Sequence, residues 1–406
     1  MRILFVHQNY PAQFRYLAPA LAALGHEVKA LAITPKAIDT SGVALFTYKP
    51  DRTSSKDLHP LAQEFESKVI RGSAALQAAN KLKSDGFSPD LIYVHPGWGE
   101  GLFLKDVWSD AKLLCYLEYY YHFNGVDVNF DPEFSDYSLE NAARVRVKNA
   151  NNLLMVEAMN KGLSPTAWQK SQFPTWAQKN IDVLHDGIDT NAVKPNNLVT
   201  LSSEQSKIEL KAGQEIITFC SRNLEPYRGF HIFMRCLPEV LRKRPNARVI
   251  IVGGEEGGYG PMPEDGKSWR QVFMEEVGSQ LDISRVYFVD KVPYATYLSI
   301  LQLSAVHVYL TYPFVLSWSM LEAMSAGCLI VGSNTPPVRE VIEHGENGLL
   351  IDFFDIAKFT ETISNALAAP SDYVHLRANA RQTIVEKYDL QSVCLPKQMA
   401  LLEGMC

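Results

Sequence analysis

Residues 306–350 read VHVYLTYPFVLSWSMLEAMSAGCLIVGSNTPPVREVIEHGENGLL, and the fold is decided there. The β-rich run 306–310 predicts a strand, and 311–318 is an irregular segment broken by a proline. A compact helix is expected over 319–326, stopped by Gly327 in the position where helices commonly end on glycine. A buried-type strand, 328–332, follows, then a Thr335-Pro-Pro turn and a second helix beginning near Val338. Strand, loop, helix and strand in this order make a parallel βαβ unit, whose ligands sit at strand C-termini and helix N-termini. Such a loop aims backbone N–H groups and a helix dipole at its guest, and phosphate is the usual one. Glu322 lies one turn into the helix, where it could accept hydrogen bonds from a sugar hydroxyl. An anion site with one carboxylate beside it suits a nucleotide ribose.

Composition sets the outer limits. A chain of 406 residues is too long for one ordinary core and suggests two domains. Its 47% hydrophobic and 21% charged content describes a soluble globular protein rather than a disordered one. No apolar run is long enough to span a membrane, and residues 1–6 enter a strand directly, leaving no room for a signal peptide. Cys115, Cys220, Cys236, Cys328, Cys394 and Cys406 lack metal-ligand spacing. Buried free thiols and a cytoplasmic location are the expectation. The net charge is −6, and residues 1–170 carry 18 basic and 18 acidic side chains, so the whole surplus lies beyond them. No basic face points to nucleic acid.

Working outward, the chain alternates twice. The opening RILFVHQNY is a parallel-type strand running into a loop with His7, Gln8 and Asn9. A helix over 13–24 repeats apolar residues at helical spacing (Phe14, Leu17, Ala18, Leu21, Leu24), Gly25 caps it, and 26–33 is the next strand. Helix 58–83 and strand 91–94 lead to His95-Pro-Gly-Trp98-Gly-Glu100. Strand 112–117 is followed by Glu118, three tyrosines, His122 and a polar loop. Helix 139–151, strand 153–157, a helix beginning at 164–166 and strand 181–184 complete a first doubly wound α/β domain. Residues 190–214 are expected as a polar connection, with room for a short helix. The pattern then restarts: strand 216–220, helix 231–243, strand 247–252, helix 269–281, strand 286–289 and helix 294–303. Between them, the Gly- and Pro-rich stretch 255–268 is expected to cover a site or to move. No short-period repeat is present, which excludes a solenoid.

In their order and spacing these elements resemble the GT-B glycosyltransferases, specifically the large retaining family 4 (glycosyl transferases group 1). The residues that carry the resemblance are Leu24-Gly25-His26-Glu27-Val28, His185-Asp-Gly-Ile-Asp189, Ser221-Arg222 with Arg228-Gly229, Leu321-Glu322-Ala-Met, Gly327, Thr335-Pro-Pro and Gly345-Glu-Asn-Gly348-Leu-Leu. Each is weak alone; together they span nearly the whole chain. The resemblance implies an α/β GT-B fold of two Rossmann-like, doubly wound domains facing a central cleft. Residues 1–195 would be the acceptor-side domain and 210–384 the nucleotide-sugar domain, with a C-terminal helix over 385–406 packing back on the first.

Candidate site residues follow from position and resemblance together. Arg222 and Arg228 lie just past a strand, where two solvent-facing guanidinium groups could flank a diphosphate and neutralise charge on the leaving group. The family carries lysine at the second position; arginine keeps the charge but changes its geometry. Glu322 matches the second of the family's two motif glutamates, while the first falls on Phe314. The segment Phe314, Val315, Leu316, Ser317, Trp318 and Ser319 would offer backbone N–H groups to the donor, although Val315 and Leu316 also suit plain packing. On the acceptor side stand His95, Trp98, Glu118 and His122. Glu118 ends a strand where many relatives carry a histidine; it could orient the acceptor hydroxyl or stabilise oxocarbenium charge, or simply bind loop amides. His95 suits a strand-end histidine satisfied by the backbone.

The implied reaction is transfer of a sugar from a nucleotide-diphosphate donor, a UDP-sugar for example, to a hydroxyl on a glycan or other acceptor. It would proceed with retention at the anomeric carbon, with the departing phosphate helping to deprotonate the acceptor. No cofactor and no metal are expected, no Asp-x-Asp segment stands at a strand end, and peripheral contact with a membrane is compatible with the reading. The alternatives are a GT-B sugar-nucleotide epimerase or phosphorylase and a non-catalytic sugar-nucleotide or glycan-binding module. An NAD-dependent Rossmann enzyme is disfavoured because no G-x-G-x-x-G follows the first strand.

Overall fold

A computed structural model describes residues 1–35, 42–203 and 208–405. It divides into two compact units: residues 1–187 with 391–406, and residues 188–390.

Unit 1 is built on seven strands: β1 (Arg2–Val6), β2 (Glu27–Ala32), β3 (Val43–Thr47), β4 (Leu91–Val94), β5 (Lys112–Tyr116), β6 (Lys161–Ser164) and β7 (Ile181–Val183). All pair in parallel, in the order β3-β2-β1-β4-β5-β6-β7. The inner strands are apolar on both faces because helices cover both. In β1, Ile3 and Phe5 face one core cluster while Leu4 and Val6 face another, all fully buried. One of these clusters takes in Leu402 from the helix Leu395–Glu403, so the last helix of the chain completes the first unit.

Unit 2 opens with an antiparallel pair, β8 (Thr200–Ser203) and β9 (Ile208–Lys211). Its main sheet holds β10 (Ile216–Asn223), β11 (Arg248–Gly254), β12 (Val286–Val289), β13 (Val306–Tyr309), β14 (Leu329–Ser333) and β15 (Leu349–Ile351). These too are parallel, ordered β12-β11-β10-β13-β14-β15. The chain crosses between units twice, and within unit 2 the two crossings are bonded side by side. The Ile188 N–H donates to the Tyr388 carbonyl at 2.8 Å, and the Leu390 N–H donates to the Ile188 carbonyl at 2.9 Å.

Three local expectations are corrected. Residues 153–157 are not a strand; they lie in the helix Ala150–Ala158, and the strand is β6, just beyond. Leu153 and Leu154 are exposed while Met155 and Val156 are buried, a helical rather than an alternating pattern. The helix is held by buried amides: Asn151 Nδ2 donates to the Pro96 carbonyl at 2.9 Å and Asn152 Nδ2 to the Tyr119 carbonyl at 3.0 Å. Residues 190–214 hold the β8–β9 pair and no helix among the described residues. β3, which reads VALFT, had no counterpart in the sequence reading; it is the edge strand of its sheet, and of its five residues only Val43 is buried. Five of the cysteines are buried and free, and the sixth, Cys406, lies outside the described residues. Among the described residues, no helix is long and apolar enough to cross a membrane.

Candidate active site

In unit 2 the strand order reverses between β10 and β13. At such a point the loops leaving neighbouring strands run off in opposite directions and open a crevice for ligands. β10 ends at Ser221-Arg222-Asn223, with Arg222 exposed. After a short 3-10 segment, Pro226–Arg228, the chain enters the helix Phe230–Lys243 through Gly229. Gly229 has φ 66°, and a Cβ there would lie 2.3 Å from the Leu310 Cβ, so only glycine fits. This turn swings Arg228 under the loop that follows β13. Its Nη1 donates to Thr311 Oγ1 at 3.0 Å and to the Val315 carbonyl at 2.9 Å. The guanidinium also lies over the rings of Tyr259 and Phe314, at 5.3 and 5.8 Å from their centroids. Arg228 is therefore 7% exposed, and the expectation of two solvent-facing arginines holds for Arg222 alone.

Phe314 fills an aromatic cluster, 5.5 Å from Tyr227 and 4.7 Å from Tyr259, both edge-on. With Val315 and Leu316 it is buried, so these three side chains pack inward. Ser317 caps the helix Trp318–Ser325 by accepting the Ser319 N–H at 3.3 Å, and its own N–H donates to the Tyr309 hydroxyl at 2.9 Å. The Ser317 and Ser319 hydroxyls lie 2.9 Å apart, and Trp318 is exposed. In the next turn Glu322 is gripped on both oxygens: Tyr294 donates to Oε1 at 2.7 Å and Tyr297 to Oε2 at 2.9 Å.

Segment 255–268 is tied to this site by Glu225, a residue the sequence reading passed over. Glu225 is buried, and one carboxylate oxygen accepts the N–H groups of Tyr259 at 2.7 Å and Gly260 at 3.1 Å. Burial pushes its carboxyl above the usual range, while the Gly260 N–H and the Arg228 charge pull the other way. A Cβ at Gly258 would fall 2.2 Å from a Glu225 oxygen. Asn223 Nδ2 adds a bond to the Gly257 carbonyl at 3.0 Å.

Unit 1 reverses its strand order between β1 and β4, and a histidine follows each strand. His7 and His95 meet edge to face with ring centroids 5.3 Å apart. Both are locked the same way: His7 Nδ1 accepts the Asn9 N–H at 2.9 Å and His95 Nδ1 accepts the Gly97 N–H at 3.2 Å. A third, His185 after β7, accepts the Gly187 N–H at 3.0 Å, and burial pushes its pKa down to about 4. The repeated His-x-Gly/Asn spacing at strand ends was the available sequence signal. An Nδ1 that accepts leaves the neutral ring's proton on Nε2. For His95 that proton points to Glu118, whose carboxylate oxygen lies 3.4 Å away.

His95 thus has the backbone partner expected of it and a carboxylate partner as well. Its ring stacks with Tyr116 at 5.6 Å and with the partly exposed Trp98 at 6.4 Å. Glu118 is held through its carbonyl, which accepts from Gln169 Nε2 at 2.6 Å. His122 is bonded to the Gln172 carbonyl at 2.8 Å. Near the pair lies a fully buried carboxyl, Glu100, pushed up to about 7 by burial, with the charges of Arg71 and His95 and the Tyr48 hydroxyl opposing the shift.

Residues 24–193 match the family model described as glycosyl transferase family 4 group, and residues 202–383 match that of glycosyl transferases group 1. The chain is 25% identical to spore coat protein SA of Bacillus subtilis, over 55% of its own length and 58% of that protein's. It is 24% identical to the D-inositol 3-phosphate glycosyltransferase of Corynebacterium efficiens, over 46% of its length and 42% of the relative's. The chain therefore matches about half the length of these curated relatives. Among solved structures, Anabaena HepE in complex with UDP superposes with a TM-score of 0.66 at 17% identity, covering 100% of both chains. The same protein is also known in complex with UDP-glucose. At that identity the likeness establishes a shared fold, GT-B, with two Rossmann-like domains.

Proposed function

The chain belongs to the glycosyl transferases group 1, and from that premise we propose that it moves a sugar from a nucleoside-diphosphate donor to an acceptor hydroxyl, with retention at the anomeric carbon. The observation that carries this reading is the convergence, at one switch point of unit 2, of Arg222, Arg228, the 311–317 loop and Glu322. Glu322 takes the ribose hydroxyls, and the exposed Arg222 takes the diphosphate. Arg228 is a positioning residue: it fixes the 311–317 loop through the Val315 carbonyl, and with it the entry to the helix Trp318–Ser325. As the glycosidic bond breaks, charge grows on the diphosphate, and the Arg222 guanidinium stabilises it more than it stabilises the intact donor.

Unit 1 supplies the acceptor-side group. Glu118, oriented by His95, directs the acceptor hydroxyl and stabilises positive charge at the anomeric carbon, and the exposed part of Trp98 gives a sugar ring a face to stack on. The acceptor oxygen bonds to the anomeric carbon on the face the diphosphate leaves, and its proton passes to the departing phosphate oxygen. HepE binds UDP and UDP-glucose, which supports a uridine nucleotide as the first donor class to try.

A second reading, a sugar-nucleotide-binding module without turnover, is favoured by one observation: an inward-packed phenylalanine stands at position 314, where the resemblance expects a carboxylate. A panel of nucleoside-diphosphate sugars separates the two, first by melting-temperature shift and then by acceptor-independent hydrolysis. Slow hydrolysis that falls at least tenfold in Glu118→Gln, with donor affinity unchanged, is the expected result. A shift with no hydrolysis of any donor would leave the binding module.

A further inference from the structure

Two tyrosines take the carboxylate that this reading gives to the ribose. Resting on that assignment, we propose that Tyr294 and Tyr297 are positioning residues that preset Glu322 for a vicinal diol, and so select ribonucleotides over 2′-deoxyribonucleotides. The tyrosines are three residues apart on the helix Tyr294–Leu303, a spacing that places both on one face. Their rings stack at 5.9 Å with 29° between planes, and each hydroxyl meets a different oxygen of the same carboxylate. Burial pushes the Tyr297 hydroxyl well above its ordinary range, so it stays protonated and donates.

The consequence is geometric. An unrestrained glutamate on a helix surface samples many rotamers and loses that freedom when it binds. Glu322 has lost it already, because two O–H bonds to different oxygens fix both the position and the plane of its carboxylate. Each carboxylate oxygen has capacity for a second donor, and adjacent hydroxyls on one sugar ring are spaced to use both. Tyr294 is 41% exposed, so the clamp borders solvent and a ligand can reach it. A nucleotide lacking the 2′-hydroxyl gains from only one oxygen and loses part of the benefit.

The test is calorimetric titration with uridine, adenosine and guanosine diphosphates and their 2′-deoxy counterparts. It compares the unaltered protein with Tyr294→Phe, Tyr297→Phe and Glu322→Gln. Each tyrosine variant should weaken the preferred ribonucleotide roughly three- to tenfold, the effect of losing one hydrogen bond. The 2′-deoxy form should change less, so that the ribo-to-deoxy ratio falls toward the value in Glu322→Gln. Equal weakening of both forms, or a lower melting temperature with an unchanged ratio, would make the tyrosines structural and overturn the clamp while the ribose assignment stood. A ratio unchanged in Glu322→Gln would overturn the ribose assignment and the clamp together, as would failure of every diphosphate to bind the unaltered protein at millimolar concentration.

Discussion

Arg222 and Arg228 come from one short motif and are placed in different surroundings. Arg222 is exposed at a strand end, whereas Arg228 is buried with its Nη1 shared between Thr311 and Val315. Arg222→Ala should lower donor affinity about ten- to a hundredfold, the loss of a charge-assisted contact of about 1.5–3 kcal/mol, with no change in melting temperature. Arg228→Ala should impair turnover and also destabilise the fold by roughly 2–4 kcal/mol, because it strands two buried partners and opens a cavity. Denaturant unfolding beside titration checks both; equal stability losses would contradict the division. The motif marks both arginines in sequence, but the burial of Arg228 is set by a loop more than 80 residues further on, which a local pattern does not contain. Glu100 offers a second residue-scale test. Its carboxyl ionises near 7 in the folded protein against an ordinary 4.5, so the unfolded chain loses the proton first as pH rises. The stability present at low pH is therefore lost between about pH 4.5 and 7, by roughly 3 kcal/mol. Relative to the unaltered protein, Glu100→Gln should gain stability from pH 5 to pH 7 and level off above it in urea unfolding, and a pH-independent difference would refute the assignment.

Among the elements, the stretch 255–268 separates what composition says from what packing says. Its glycines and prolines predict a loop, and a loop it is, yet Glu225 and Asn223 pin it to the end of β10. Gly258 is a glycine because a side chain would collide with Glu225. Gly258→Ala should therefore release the segment, lifting Tyr259 from Arg228. Limited proteolysis within 255–268 should accelerate, and donor affinity should fall several-fold, while the alanine at Gly257, where a Cβ meets nothing closer than 3.7 Å, changes neither. The sheet strands that are apolar on both faces were legible from sequence. β6, reading KGLS, was not, because its pairing comes from β5 and β7 while the more apolar run beside it folds as a helix.

At the scale of the whole molecule the repeated reversal of strand order is the main legible feature: an alternation that stops near residue 190 and restarts near 216 announces two doubly wound sheets. His95 and Arg222 follow strands that flank the two reversals, so strand order alone pointed to these loops even where the side chains packed around them were not legible. Tyr294 and Tyr297 show the limit, since nothing local to them reveals that they reach Glu322. The final helix is likewise part of the first unit in space. Leu402 is fully buried there, and Gln398 Nε2 donates to the His185 carbonyl at 3.0 Å. Leu402→Ala should cost about 2–4 kcal/mol in unfolding experiments and leave nucleotide affinity, which the proposed function assigns to unit 2, unchanged. The same arrangement bears on synthesis. The apolar face around Ile3, Phe5 and Leu21 leaves the ribosome early, but the helix that helps cover it is translated only after the whole of residues 188–390. At roughly 5–20 residues per second that interval is about 10–40 s, during which the nascent first unit carries an uncovered face that chaperones can hold and neighbouring chains can stick to.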